Sequence, residues 1–461
     1  MTRTIDHANE LGAAMRGTVL VAGEPGYDEA RRVFNADIDR HPAVVARCVS
    51  AADVAAAVRY ARAEGLEIAV RGGAHSVSGQ STVDDGLVVD LSGMREVTVD
   101  PGARRVRVQG GALLTDMNVA TQAHGLAVPA GIIGHTGVAG LTLGGGMGWL
   151  SRLAGLSIDN FLDAEVVLAD GRIVRASPDE HPDLFWALRG GGGNFGVVTE
   201  FGFRCHEVGP TMRFAMFFWG LDQGKEALRC MRDVCAGLPR GVMPILGAVN
   251  APPAPFVPEQ HRLQPGYVLM LAGFGTPEEH AAAVEQVVAL CPPLFDLVTP
   301  MPYVELNQLF DEASPWGLHY YEKSLYVAEL TDDVIEVINE QAPAKTSPLS
   351  IALFYRLDEA YTEVGEEDTA FSGTRTPRWG TFLYATTPDA ESMPAERAWT
   401  RTFYEALRPL SIDDTAYVNG MSEYEPARVR ASYGPEKYAR LTTIKAEYDP
   451  ENVFHRNINI R

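Results

Sequence analysis

The sequence predicts an α+β protein in which a Gly-rich first part and an aromatic-rich second part are followed by a distinct tail. Three observations carry that expectation. From about residue 36 to 208, short strand signals alternate with helix signals and irregular Gly-rich connections. Beyond "CHEVGP" the Gly clusters stop, and aromatic strand candidates appear between helices. The chain closes on "YDPENVFHRNINI", whose character differs again. At 461 residues it is too long for one ordinary core, which agrees with a division into 1–208, 209–414 and 415–461.

The elements follow in order. "SAADVAAAVRYARAEG" opens on a Ser that can cap a helix and keeps apolar residues at helical spacing. "GLVVDLS" and "RRVRVQGG" read as strands. "AEVVLADGRIVRAS" reads as a hairpin, two β-rich runs meeting at Asp170-Gly171, a pair favoured in a tight primed turn. In the second part "RFAMFFWGL", "GYVLMLAGFG" and "WGTFLYATT" are strand candidates, and Pro-rich "APPAPFVPEQH" is a surface loop.

Composition narrows the function. The hydrophobic fraction of 46% is that of a globular protein. Neither an apolar run of about 18 residues nor a charged-then-apolar leader is present, so a cytoplasmic protein is expected. A formal net charge of −21 argues against nucleic-acid or anionic-membrane partners, whose phosphates bind Lys and Arg. The cysteines (Cys48, Cys205, Cys230, Cys235, Cys291) are odd in number and scattered, and read as reduced thiols with no metal or disulfide framework.

Three loops carry the chemistry: "RGGAHSVSG", "GHTGVAGLTLGGGMG" and "RGGGGNFG". The last contains a formal G-x-G-x-x-G at Gly191, Gly193 and Gly196, but a helix-like "DEHPDLFWALRG" precedes it and a strand-like "VVTEFGFR" follows. A nicotinamide fingerprint needs the opposite order, so that a helix N-terminus faces the pyrophosphate. No G-x-x-x-x-G-K-[ST], G-x-S-x-G or H-E-x-x-H occurs, which removes the commonest phosphoryl-transfer, hydrolase and zinc-protease readings. Several Gly-rich backbones suggest close approach to one extended, phosphate-bearing ligand.

"VRGGAHSVSG", "GHTGVAGLTLGGGMGWLSRLAGLSIDN", "DLFWALRGGGGNFGVVTEF" and "YDPENVFHRNINI" together resemble the FAD-linked oxidases of the berberine bridge enzyme type, in the vanillyl-alcohol oxidase superfamily. The resemblance spans essentially the whole chain and is strongest to bacterial polyketide-pathway members. It implies a two-part PCMH-type FAD-binding domain, a substrate domain with an antiparallel sheet backed by helices, and a C-terminal segment returning to the FAD-binding domain. It also implies that His75 is bonded to the flavin 8α-methyl. Many members add a cysteinyl link in the loop matching "AGIIGHTG", where this chain has Ile133, so a single covalent bond is expected.

By the same resemblance Arg71, Gly72, Gly73, Ala74, Ser76 and Gly79 line the pyrophosphate, and His135, Thr136, Gly137, Gly140, Gly145 and Gly148 run along the cofactor. Val198 meets the adenine end, and Asn457 or Asn459 approaches the ring from the tail. Thr136 faces the flavin edge where oxygen reacts. Tyr417, with Asn419 beside it in "AYVNG", matches the family's catalytic tyrosine; its ordinary pKa near 10 demands a depressed value or a proton-accepting partner. The expected facing strands, "SIALFYRL" before Asp358 and "RWGTFLYATT", carry no carboxylate, so the family's usual carboxylate base is absent from them. Substitutes are Tyr355, Arg356, Tyr384 or the pair Tyr321 and Lys323 in "HYYEKS". The implied activity is an oxidase that takes hydride from a small, ring-containing metabolite onto FAD, with molecular oxygen as acceptor giving hydrogen peroxide. A flavin monooxygenase and a flavin-retaining protein without turnover stand as alternatives.

Overall fold

The computed structural model describes residues 9–461. The stretch read above for a leader therefore begins outside the described residues. Strands β1 (Thr18–Leu20), β2 (Val44–Arg47), β3 (Ile68–Arg71) and β4 (Leu87–Asp90) form a sheet in the order β1-β2-β4-β3. Because β4 runs parallel to both β2 and β3, all its residues are buried. The crossover from β2 to β3 is the helix Ala51–Glu64. Ser50 Oγ accepts the Asp53 N–H at 3.2 Å, and Gly65 ends the helix in a left-handed cap, φ 67°. This unit delivers the chain to "GGAHSVSG" at the carboxyl end of a parallel strand, where open α/β sheets place ligand loops.

The second sheet is antiparallel. It contains β5 (Val97–Asp100), β6 (Arg105–Gln109), β8 (Phe161–Val167), β9 (Ile173–Ala176) and β10 (Val197–Arg204), ordered β5-β6-β10-β8-β9, while β7 (Leu126–Ala127) pairs with β11 (His206–Glu207). The expected hairpin joins β8 to β9, but with one residue more than a two-residue turn. Leu168 and Arg172 close it, Gly171 N–H bonds Leu168 C=O at 2.9 Å, and Gly171 takes φ 79° as a bulge-forming turn requires. Helix Pro182–Leu188 precedes the loop 190–196 and β10 follows it, the reverse of a dinucleotide fingerprint.

A seven-stranded antiparallel sheet makes the third layer: β12 (Thr211–Gly220), β13 (Val242–Asn250), β14 (Pro265–Gly273), β15 (Phe295–Pro302), β16 (His319–Val327), β17 (Ile351–Leu357) and β18 (Arg378–Thr387), in the order β15-β12-β14-β13-β17-β18-β16. Alternate side chains point to opposite faces. Phe217, Leu269, Phe354 and Leu383 share one core with Met231, Ile335 and Phe403 of the helices Gly224–Ala236, Asp332–Gln341 and Met393–Leu407. Phe214, Ile245, Leu353, Tyr355 and Phe382 on the other face pack with Trp149, Leu150, Ile158 and Tyr417. The sheet is thus clamped between its own helices and the Gly-rich part.

The tail closes the structure. Helix Pro426–Tyr448 breaks at Gly434, φ 72°, ahead of Pro435. Its Tyr433, Leu441 and Ile444 pack against Leu184, Trp186 and Leu188 of the first part. Lys445 Nζ donates to Asn194 C=O, Phe454 C=O and the Asp449 carboxylate at 2.6–2.9 Å, so a buried cation is fully paired where the tail turns back. None of the helices among the described residues is long and apolar enough to cross a membrane.

Candidate active site

A cleft of about 400 Å³ runs from the loop after β3 to the open face of the seven-stranded sheet. Its first wall is that loop. Among the described residues, the N–H groups of Gly73, Ala74, His75, Ser76 and Val77 donate to no protein acceptor, and Ala74 holds φ 52°. A run of free amides around a left-handed residue forms a concave anion cradle. His75 Nε2 lies 2.8 Å from His135 Nδ1, and its ring stacks on Phe34 at 3.8 Å, which in turn stacks on Tyr320 at 4.2 Å. Both contacts fix the imidazole, and Nδ1 is left without a protein partner in the cleft wall. Burial, then the neighbouring His135, pulls the His75 pKa down to about 3. The imidazole is therefore neutral at physiological pH, with a lone pair available.

The second wall is the segment 131–144, a loop leading into the short helix Val138–Leu143, held against the first by a glycine crossing. A Cβ on Gly73 would stand 2.3 Å from Gly137 N, and one on Gly137 would stand 2.3 Å from Gly73 N. Only glycine at both positions allows these backbones to touch. Asp311 accepts the Gly134 N–H at 2.6 Å and ties this loop to the segment carrying Phe310, Ala313 and Ser314 along the cleft. Thr136 and Ile133 face the cleft beside it.

The third wall joins the sheet to the tail. Tyr417 Oη accepts the Gly146 N–H at 2.8 Å and Asn419 Nδ2–H at 2.9 Å, while Asn419 also donates to Leu141 C=O. These donors favour the phenolate, but burial outweighs them and pushes the Tyr417 pKa up to about 12. Across the cleft, the register aligns Ile351, Tyr384 and Glu322 in one cross-strand row and Leu353, Phe382 and Ser324 in the next. Glu322 is 6% exposed, and its carboxyl has no hydrogen-bond partner among the described residues. Burial pushes its pKa up to about 8. The Tyr355 and Tyr384 hydroxyls are likewise unpartnered on this face, and burial raises both pKa values.

The structure brings Gly72, Gly73, Ala74, His75, Ser76, Thr136, Gly137, Gly140, Val198, Tyr355, Tyr384, Tyr417, Asn419 and Asn457 to this cleft. Others from the sequence reading stand behind it. Arg71 bonds the Ala30 and Arg32 carbonyls beneath the loop, and His135 backs His75 with its Nε2 buried and unpartnered. Gly79 packs on Ile38, Gly145 on Phe371 and Tyr417, and Gly148 on the Ala130 carbonyl, so these glycines serve close packing. Asn459 lies in the tail outside the cleft lining, its Oδ1 buried and unpartnered and its N–H donated to Asn457 Oδ1.

Tyr321, Lys323 and Arg356 are corrected outright. Strand alternation turns them to the helix-covered face, where Tyr321 and Lys323 bond Glu423 at 3.1 and 3.0 Å and Arg356 pairs with Asp358 at 2.8 Å over the Trp379 ring. The residue between the first two, Glu322, is the carboxylate that sequence reasoning missed. Its signal was the shared parity of Tyr320, Glu322, Ser324 and Tyr326 in "HYYEKSLY", which marks one face without saying which face is open. Phe34 and the tail's Arg456, which also line the cleft, carried no such signal.

A neutral, pinned imidazole, a cradle of free amides and a sheet face carrying Glu322, Tyr355 and Tyr384 thus line one cleft. Residues 42–177 match the family described as FAD binding domain, and residues 416–461 match berberine and berberine like. An FAD-linked oxidoreductase of Dictyostelium discoideum is 30% identical over 455 residues, covering 98% of this chain and 96% of that one. The 6-hydroxy-D-nicotine oxidase of Arthrobacter nicotinovorans superposes with a TM-score of 0.86 at 28% identity, covering 97% of this chain and 98% of that one. Glucooligosaccharide oxidase of Acremonium strictum, described with 6-S-cysteinyl, 8α-N1-histidyl FAD, shares the fold at a TM-score of 0.83 and 24% identity, covering 99% of each. The chain belongs to the FAD-linked oxidoreductases of the berberine bridge enzyme type and is an FAD-dependent oxidase.

Proposed function

We propose that His75 Nδ1 carries the FAD as its single covalent link, and that the substrate lies between Tyr417 and the sheet face of Glu322, Tyr355 and Tyr384. The observation that carries this reading is one continuous cleft joining the free amides, the bare Nδ1 and the unpartnered carboxyl. When bound, FAD accepts a hydride from a substrate C–H and passes the electrons to oxygen, giving hydrogen peroxide. A lone pair at Nδ1 requires the proton on Nε2, which then donates to His135 Nδ1. Ile133, where a sulfur would be needed, supports one link only.

Two groups divide the proton work. Tyr417, with its oxygen already accepting two N–H bonds, keeps its proton at neutral pH and offers it as a hydrogen bond that orients a substrate heteroatom. Glu322 takes the proton that the substrate gives up once its carboxyl is ionised, so this route strengthens as pH rises through about 8. The apolar and aromatic lining from Leu353, Phe382, Met147 and Phe310 suits a small ring-containing molecule. In this reading residues 1–208 hold the cofactor, 209–414 present the substrate face and 415–461 seal the two together. The test is the visible spectrum of acid-precipitated protein: flavin should stay with the wild-type pellet and leave that of His75→Ala. Release from the wild type refutes the covalent link. The cleft-facing Thr136 hydroxyl also suits an oxygenated flavin, so peroxide is counted per substrate consumed, and a deficit matched by labelled oxygen in the product selects a monooxygenase.

A further inference from the structure

Among the Asp, Glu, Lys and Arg residues described, only Glu322 and Arg456 line the cleft. Arg456 is turned to the Gly79 and Thr82 carbonyls and to Glu67, on the FAD-binding side. Glu322 stands alone on the sheet face. The groups that face it are Tyr384 from β18 and Tyr417 and Tyr424 from the tail, with Tyr355 of β17 beyond Tyr384; Lys323 and Glu423 pair with each other on the reverse side of the sheet. A buried carboxyl without a partner is costly unless a ligand supplies one.

The surrounding rings indicate the sign of that partner. Phe382 lies edge-on to Tyr355 at 5.4 Å and to Tyr417 at 5.8 Å, and parallel to Tyr384 at 6.1 Å. Arg428 of the tail helix is engaged by the Ser324 carbonyl and the Tyr404 ring, and the ring faces and unpartnered carboxyl in the cleft attract a positive group. An anion would meet the carboxyl and the same π faces and be repelled. The net charge of −21 further enriches cations near the protein.

We propose that the substrate is a small organic amine on an apolar, ring-sized body, bound with its nitrogen against Glu322. The proposal rests on the oxidase reading and narrows it. In free protein below about pH 8 the carboxyl is protonated, so binding an ammonium releases one proton to solvent, either from the acid or from the amine. Between that pH and the pKa of the amine, carboxylate and ammonium combine with no net release. Within the complex the ammonium proton can pass to Glu322, leaving the neutral amine, which is the form able to lose a hydride.

The experiment titrates the flavin-loaded protein with 1-phenylethylamine and with 1-phenylethanol, following binding by the shift of the flavin visible band under anaerobic conditions. Amine affinity should exceed that of the alcohol and fall about tenfold per pH unit below about pH 8. In Glu322→Gln the amine should bind on the order of tenfold or more weaker, without that limb, and the ratio of amine to alcohol affinity should fall with it. Glu322→Asp should retain the limb, and the wild-type pH profile stands by itself if either variant fails to fold. Equal or tighter alcohol binding, no binding of either probe, or an amine profile flat across pH 8 overturns the proposal. Flavin reduction by the alcohol alone would sink the amine inference yet leave the oxidase standing; absence of flavin from folded protein would sink both.

Discussion

Glu322 should make the protein more stable when neutralised, and by an amount that depends on pH. Its pKa rises from an unfolded value of 4.5 to about 8 because the fold removes the carboxyl from water. A raised acid favours the native state only while protonated, so the sign runs against folding as pH climbs. Below pH 4.5 both states hold the proton and the group is neutral to stability; between 4.5 and about 8 the native state must either keep a proton or bury a charge; above about 8 the full penalty applies. At 1.36 kcal/mol per unit, the ceiling is about 5 kcal/mol, and about 3 kcal/mol at pH 7. Water in the cleft lowers both figures. Glu322→Gln keeps the shape and removes the titration, so its advantage over wild type should be near zero at pH 4.5 and grow to a plateau above pH 8. Spread over a chain of 461 residues, the plateau corresponds to a melting-point gain of about 5 °C at most. Far-UV circular dichroism melts of flavin-loaded wild type and variant across that pH range measure it. A difference that stays constant with pH, or shrinks as pH rises, refutes the buried, unpaired carboxyl.

The remaining predictions use the same geometry. Gly73→Ala forces two backbones apart, so it should cost about 1–3 kcal/mol or more and lower flavin content, whereas Gly140→Ala, whose added methyl meets nothing within 4 Å, should leave the melting point of flavin-free protein unchanged; melts with flavin quantitation compare them. Tyr417→Phe leaves the Gly146 and Asn419 donors without their acceptor and should slow flavin reduction in stopped-flow by about 10²-fold or more, with the visible spectrum preserved. Tyr321→Phe and Lys323→Met, behind the sheet, should alter stability by about 1 kcal/mol or less and leave substrate reduction rates within twofold, roughly, in the same assay.

Much of the cofactor side was legible because glycine is legible. Gly73 and Gly137 are required by a backbone crossing that any side chain would block, and spacing around His75 brought that loop into view before any coordinates. The helix after Ser50 and the turn at Gly171 followed from local chemistry in the same way, the turn missing by one residue because Ala169 joins its loop. The substrate side was less legible for a geometric reason. A strand displays both faces to the reader of a sequence, and "HYYEKSLYV" carries polar residues of both parities. Only the docking of helices Asp332–Gln341 and Met393–Leu407 on one face decides that Lys323 is shut away and Glu322 open. That docking depends on residues far along the chain, which no local pattern encodes. Phe34 is a similar case: its place between His75 and Tyr320 is set by a bond from its N–H to the Ala74 carbonyl.

The same alternation explains how one frame can serve different substrates. Residues at Ile351, Leu353, Tyr355, Phe382, Tyr384 and Glu322 point into the cleft from three neighbouring strands, whereas their sequence neighbours hold the sheet to its helices. Changing one parity re-chemises the substrate face without loosening the core behind it, provided volume is kept. The cofactor side has no such freedom, since the Gly73–Gly137 crossing and the His75–His135 pair are contacts of backbone and fixed rings. On the proposed reading, substrate choice resides in a handful of side chains on β16, β17 and β18, and a swap confined to that face should redirect specificity while the proposed flavin link at His75 is retained.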